Sequence, residues 1–174
     1  MKAYLAGGCF WCMEKPYHLI EGVREVVSGF SGGEEQAPTY LEVKQQKTMH
    51  RETVAIDFDE DKLSFSDLLK VYFTSIDPYD GEGQFIDRGR SYSPAIYYVD
   101  QQQKLEAETM IRDLEQRFGR RIEVAVEPFL SFYAAEEYHQ DYARKNPEAY
   151  AKEWEESGRK RFHEEQDGLT GELL

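Results

Sequence analysis

The sequence predicts an α+β two-layer sandwich in a single domain, and three observations carry that expectation. Strand-like and helix-like stretches follow one another as β, α, β, β, α, β, α, β, and the adjacent strands favour a mixed sandwich over a doubly wound sheet. At 174 residues the chain is long enough to bury a core without covalent staples. Its composition, 40% hydrophobic against 32% charged, is that of a globular protein rather than a disordered one.

Each element has a local reason. "KAYLAGG" (2–8) reads as a short strand ending on glycines. "CFWCMEKPYHLI" (9–20) opens as a helix with Cys9 at or near its N-terminus. Pro16 weakens that helix in its middle, because proline has no N–H and its ring clashes with the preceding turn. "VREVVSGFSGG" (23–33) is a strand running into a Gly-rich turn. "ETVAIDFDED" (52–61) alternates, with Val54, Ile56 and Phe58 on one face of a half-buried strand.

In "LSFSDLLKVYFTSIDP" (63–78), Ser64 and Asp67 form a capping box, and Phe65, Leu68, Leu69 and Tyr72 make the apolar stripe of a helix. Residues 77–94 show no sustained period, and a loop of that length inside a compact domain is usually functional. "AIYYV" (95–99) is a strand. Asp100 and Gln103 then open a long helix, with Ala107, Ile111, Leu114 and Phe118 inward and Gly119 closing it. "RIEVAVEPF" (121–129) is another alternating strand. Beyond Phe132 the chain turns polar and helical, and Asn146 with Pro147 suits the cap and first position of a last helix. The charged end from Ser157 reads as an arm or frayed tail.

The formal charge of −13, from 34 acids against 21 bases, repels phosphates and argues against nucleic acid; solubility accounts for it. No stretch approaches the ~20 apolar residues of a membrane span. "MKAYLAGGCFWCMEK" is a poor signal peptide, so the expectation is a soluble, cytosolic protein without membrane contact.

"GGCFWCME" (7–14) holds both cysteines of the chain. So close a pair cannot staple a fold, which points to redox chemistry or metal binding. A helix N-terminus lowers a thiol's pKa, and Gly7 and Gly8 permit the tight strand-to-helix turn that leaves Cys9 accessible. Three residues on, Cys12 lies on the same helical face, with Cα atoms ~5 Å apart, inside the disulfide window. Cys9 as attacking thiol and Cys12 as its resolving partner is one reading. Others stay open: Cys12 as a small core residue, or half of a zinc site, although His18, His50, His139 and His163 lack a paired metal spacing. Phe10 and Trp11 are either core aromatics or the wall of an apolar pocket for a methyl or thioether group.

"GCFWCME" (8–14) resembles the signature of peptide-methionine (S)-S-oxide reductases, the A-type methionine sulfoxide reductases. "GFSGG" (29–33), "PTYLEV" (38–43), "HRE" (50–52), "GQFIDRGRSYSPAIYY" (83–98) and "AEEYHQDY" (135–142) follow in that family's order and at about its spacing. The resemblance covers roughly residues 3–161, so the domain is set at 1–161 and residues 162–174 are left as a polar C-terminal tail. It implies a ferredoxin-like βαβ core and reduction of the S epimer of methionine sulfoxide, free or in proteins, the repair branch of methionine oxidation.

By resemblance, Cys9 is the nucleophile that becomes a sulfenic acid, and Glu52 is the acid that protonates the sulfoxide oxygen. Tyr40 and Tyr92 match the phenols that hydrogen-bond that oxygen. Asp87 matches the acid orienting substrate and water, and Phe10 and Trp11 the wall receiving the S-methyl group. His50, His139, Gln140 and Tyr142 stand in family-like motifs behind these groups. No resident cofactor or metal is implied; an external thiol reductant such as thioredoxin is. The chain departs from the common pattern at Met49 (usually glycine) and Ile76 (usually histidine), and it has no cysteine near the C-terminus, where many relatives carry the resolving thiol. A thioredoxin-like disulfide oxidoreductase using the CxxC pair is the alternative enzyme, although Glu52 and the 83–93 loop have no role there. A non-catalytic metal-binding or interaction module is the second alternative.

Overall fold

The computed structural model describes residues 1–170, with side-chain surroundings through 165. Strand β1 (Lys2–Ala6) leads through Gly7 and Gly8 into α1 (Phe10–Glu14). At Pro16 the helix tightens to a 3₁₀ turn over Lys15–Leu19, as a proline without a donor allows. Strand β2 (Val23–Ser31), helix α2 (Tyr40–Lys44) and strand β3 (Arg51–Phe58) follow. Helix α3 (Phe65–Ser75) starts on the capping box expected of Ser64 and Asp67. Within the long loop stand a short hairpin, β4 (Gly83–Gln84) with β5 (Asp87–Arg88), and a 3₁₀ turn at Arg90–Tyr92. Then come β6 (Ala95–Tyr98) and α4 (Gln101–Phe118), capped by Asp100 and closed by Gly119 in the left-handed region. β7 (Ala125–Pro128), β8 (Phe132–Ala134), α5 (Tyr142–Lys145), α6 (Pro147–Glu156) and α7 (Arg159–Thr170) complete the chain.

The architecture is mixed α+β. A six-stranded sheet runs in the order β7-β6-β1-β3-β2-β8, antiparallel except for the β6–β7 pair. One face carries the main core, where Phe65, Leu68, Leu69 and Tyr72 of α3 pack with Leu5, Val54 and Ile56 of the strands. Tyr72 also donates its hydroxyl to Ala6 O at 2.7 Å, which ties α3 to the end of β1 just before the Cys9 turn. No helix among the described residues is long and apolar enough to cross a membrane.

Three expectations need correction. β3 is buried on both faces rather than half-buried, because small Ala55 on the reverse face lets Phe129 and Phe132 fold over it beside Tyr4. The segment after Phe132 is not wholly helical: Phe132–Ala134 forms β8 on the free edge of β2. The charged end is helical from Arg159 to Thr170 rather than an arm or frayed tail, and the last four residues of the 162–174 tail lie outside the described residues.

Candidate active site

The turn into α1 builds the site. Gly8 adopts φ +87, and a methyl group there would stand 2.7 Å from Gln84 Cβ. Cys9 is the N-cap residue, and its carbonyl accepts from the N–H groups of Cys12 (3.1 Å) and Met13 (3.2 Å). Its thiol therefore stands at a helix N-terminus but is buried rather than left accessible as expected, 8% exposed as a residue, packed with Cys12 (6% exposed) and Tyr150. Both are free thiols. Glu14, fully buried, anchors the other end of α1: its carboxyl accepts from Ser28 Oγ (2.7 Å) and from the Tyr142 N–H (2.7 Å).

Glu52 lies on β3 opposite Phe30, 1% exposed, and its Oε2 accepts the Phe10 N–H at 3.0 Å. Burial pushes its pKa up to about 8; the charge of Asp87 adds to the rise, while the Phe10 N–H and the Arg159 guanidinium oppose it. Tyr40 opens α2, where Thr39 and Glu42 form a capping box. Tyr92 ends the 3₁₀ turn whose Ser91 is clamped by the Gln46 side chain at 2.6 and 3.0 Å. Burial, and then the charge of Glu52, holds both phenols well above the usual tyrosine pKa, so both remain donors.

The two thiols are hydrogen-bond partners, and that bond is the largest influence on each. It lowers Cys12, against burial and with help from Arg159; it raises Cys9, with burial adding, so the thiol that is lowered is Cys12 and not, as expected of a helix N-terminus, Cys9. The pair thus gives up its first proton easily and its second with difficulty. Asp87 Oδ2 accepts from Arg159 Nη2 at 3.0 Å. Tyr150 covers Cys12 as a hydrogen-bond partner, and burial holds its phenol well above the usual value.

The aromatic side of the site is layered. Trp11, half-buried, stacks on Tyr142 at 3.8 Å and 8°. Its indole Nε1 donates to His139 Nδ1 at 3.1 Å, so His139 carries its hydrogen on Nε2. Burial keeps His139 below the usual histidine pKa and hence neutral. Phe10 is fully buried, packed between Phe30, Tyr40 and His139, so it backs the wall that Trp11 presents. Gln140 and His50 act further out. Gln140 exchanges hydrogen bonds with Ser28 N and O (2.8 Å each), and His50 Nδ1 accepts from Gly33 N at 3.2 Å. Among the described residues no group of three or more His, Cys, Asp or Glu side chains is placed to hold a metal ion.

The sequence model of peptide methionine sulfoxide reductases matches residues 1–169. The chain belongs to that family. Peptide methionine sulfoxide reductase MsrA 2 of Staphylococcus aureus is 48% identical over 164 residues, 93% of each chain. The reduced form of Mxr1 from Saccharomyces cerevisiae superposes with a TM-score of 0.80 at 27% identity, covering 85% of this chain and 86% of that one. Methionine sulfoxide reductase A of Corynebacterium diphtheriae gives 0.75 at 30% identity, covering 84% and 74%. The same fold recurs in Mxr1 solved in complex with Trx2, with a TM-score of 0.58 at 19% identity, covering 82% and 84%.

The reductase therefore gathers Cys9, Cys12, Glu52, Asp87, Tyr40 and Tyr92 around one turn, their charges acting on one another. Sequence reasoning missed Arg159, Tyr150 and Glu14. Nothing local in "SGRKRF" distinguishes a buried arginine from the basic residues beside it, since its burial is set by a partner 72 positions away.

Proposed function

We propose that this reductase reduces the S epimer of methionine sulfoxide through a sulfenic acid on Cys9. The observation that carries the reading is Glu52: a carboxyl buried beside the α1 turn and holding its proton up to about 8 is an acid at neutral pH. A proton passing along the thiol–thiol hydrogen bond from Cys9 to Cys12 makes Cys9 the thiolate at the helix N-terminus. Cys9 Sγ attacks the sulfoxide sulfur while Glu52 protonates the oxygen, with Tyr40 and Tyr92 donating to it. The sulfur–sulfur bond so formed breaks as the protonated oxygen passes from the sulfoxide sulfur to Cys9 Sγ, which releases methionine, reduced by two electrons, and leaves Cys9, oxidised by two, as the sulfenic acid. Asp87 orients substrate and water, and Trp11, backed by Phe10, takes the S-methyl group.

Recycling then has one internal candidate. Cys12 Sγ attacks the Cys9 sulfenic sulfur, the S–S bond forms as the S–OH bond breaks, and the proton Cys12 took from Cys9 leaves with that hydroxyl as water; a thioredoxin-like dithiol reduces the disulfide. The complex of Mxr1 with Trx2 supports a partner of that kind. A cytoplasmic setting, where such reductants keep thiols reduced, suits the cycle. The order β6-β1-β3-β2, all antiparallel, with α1 and α3 in the crossings, supports reading the core as ferredoxin-like.

The test is stereochemical. Given a racemic methionine sulfoxide peptide and reductant, the enzyme consumes the S epimer, forms methionine and leaves the other epimer. Equal consumption of both, or disulfide exchange without methionine, overturns the reading.

A further inference from the structure

The C-terminal helix reaches the reacting sulfurs through one side chain. Ser157 and Gly158, the latter at φ +88, turn the chain out of α6, and Arg159 opens α7 with its residue only 1% exposed. A buried guanidinium is costly unless its charge and donors are met. Nη2 donates to Asp87 Oδ2 at 3.0 Å. The cation lies 4.9 Å from the ring centroid of Phe85, whose own φ is +58, and Phe162 backs that ring edge-on at 5.1 Å. Nη2 also lies against Gly8, where a methyl group would stand 2.9 Å from it, so the guanidinium sits one residue from Cys9. Nη1 is buried and has no hydrogen-bond partner. The one nitrogen that meets the Asp87 carboxylate, Nη2, is thus also the one set against the cysteine turn, and Nη1 is left without a partner.

Accepting Cys9 and Cys12 as the reacting thiols, we propose that Arg159 is a positioning residue of the reductase, fixing Asp87 at the site and holding one sulfur of the pair as thiolate by its charge. The influence is mutual: Arg159 favours the thiolate at either sulfur, and both sulfurs favour the charged arginine. The other groups facing the pair oppose a negative charge there. Glu52 on β3 acts so on Cys9, and Asp87 on β5 and Glu153 on α6 act so on Cys12, while Tyr150 on α6 hydrogen-bonds Cys12. Helix α7, polar along most of its length, is thereby held by the active site it helps to charge.

The experiment is a thiol titration, independent of turnover. Thiolate ultraviolet absorbance is followed against pH for the wild type, Arg159→Met and Arg159→Lys, each referenced to its own variant with Cys9→Ser and Cys12→Ser. Loss of a nearby opposite charge raises the first thiol midpoint by about one pH unit or more in Arg159→Met, and Arg159→Lys restores most of it. A folded Arg159→Met protein titrating at the wild-type midpoint overturns the proposal. If that variant does not fold, nitrogen NMR of the wild-type Arg159 guanidinium decides: its resonance shifts at the thiol midpoint, and a resonance unmoved through that range overturns the proposal. Methionine formation by the wild type, measured in parallel, tests the underlying reading separately.

Discussion

The main-chain N–H of Phe10 donates to Glu52 Oε2 at 3.0 Å, so the residue after Cys9 and the buried carboxyl of β3 are fixed to each other. The helix turn that presents the sulfur also locates the acid.

Glu52→Gln keeps the acceptor for Phe10 but removes the proton, and single-turnover reduction is expected to fall ~10²–10⁴-fold. In the wild type the acid form is lost as pH rises through about 8, and the Glu52-dependent rate falls with it. Stability moves in the same direction. The folded carboxyl binds its proton up to about 8 and the unfolded one only to about 4.5, so stability is full below 4.5 and declines as pH rises to 8. Burial is the main cause, and glutamine escapes the decline. The melting-temperature advantage of Glu52→Gln should therefore grow across that window; a constant difference would rule out the raised pKa.

Tyr40→Phe and Tyr92→Phe each remove one hydroxyl that burial keeps protonated. Each alone is expected to cost about twofold to twelvefold in kcat/KM, the worth of one hydrogen bond. If both serve the same oxygen, the double variant departs from the product of the singles. Strict additivity in a double-mutant cycle would separate the two phenols into independent roles.

Much of this framework was legible locally. Ser64 with Asp67, Asp100 and Gly119 bound α3 and α4 as their sequence signals indicate, and the glycines before Cys9 placed it at a helix N-terminus. The motifs also marked Cys9, Glu52, Tyr40, Tyr92 and Asp87 as candidates, and Glu52, Asp87 and both phenols lie close enough for their charges to act on one another. What stayed hidden is set by partners far along the chain. β8 is only three residues long and exists because the β2 edge at Gly29–Ser31 accepts it. The reverse face of β3 is buried by Phe129 and Phe132, which no period in β3 announces. Arg159 is concealed for the same reason, since a charge run looks solvated until its partner, Asp87, is known.

Gly8→Ala tests the turn itself. At φ +87 a side chain is strained, and its Cβ would stand 2.7 Å from Gln84 Cβ and 2.9 Å from Arg159 Nη2. The expected loss is about 1–3 kcal/mol of stability from the backbone conformation alone, with a further fall in activity because Cys9 and Arg159 are both displaced. Denaturant unfolding measures the first and single turnover the second. Unchanged stability would mean that the turn relaxes freely.

Cys12→Ser decides how the enzyme is recycled. The Cys12 N–H bonds to Cys9 O at 3.1 Å inside the first turn of α1, and Tyr150 lies over the Cys12 sulfur. A Cys9–Cys12 disulfide therefore requires that this turn loosen and that α6 give way. Single-turnover methionine formation survives Cys12→Ser, because the serine leaves Cys9, Glu52 and the phenols in place. Thioredoxin-dependent cycling is expected to drop more than tenfold, and mass spectrometry after one turnover without reductant should find a sulfenic acid on Cys9 where the wild type shows loss of two hydrogens across the pair. Cycling at the wild-type rate in Cys12→Ser would make Cys12 a packing residue and assign reduction of the sulfenic acid to an external thiol.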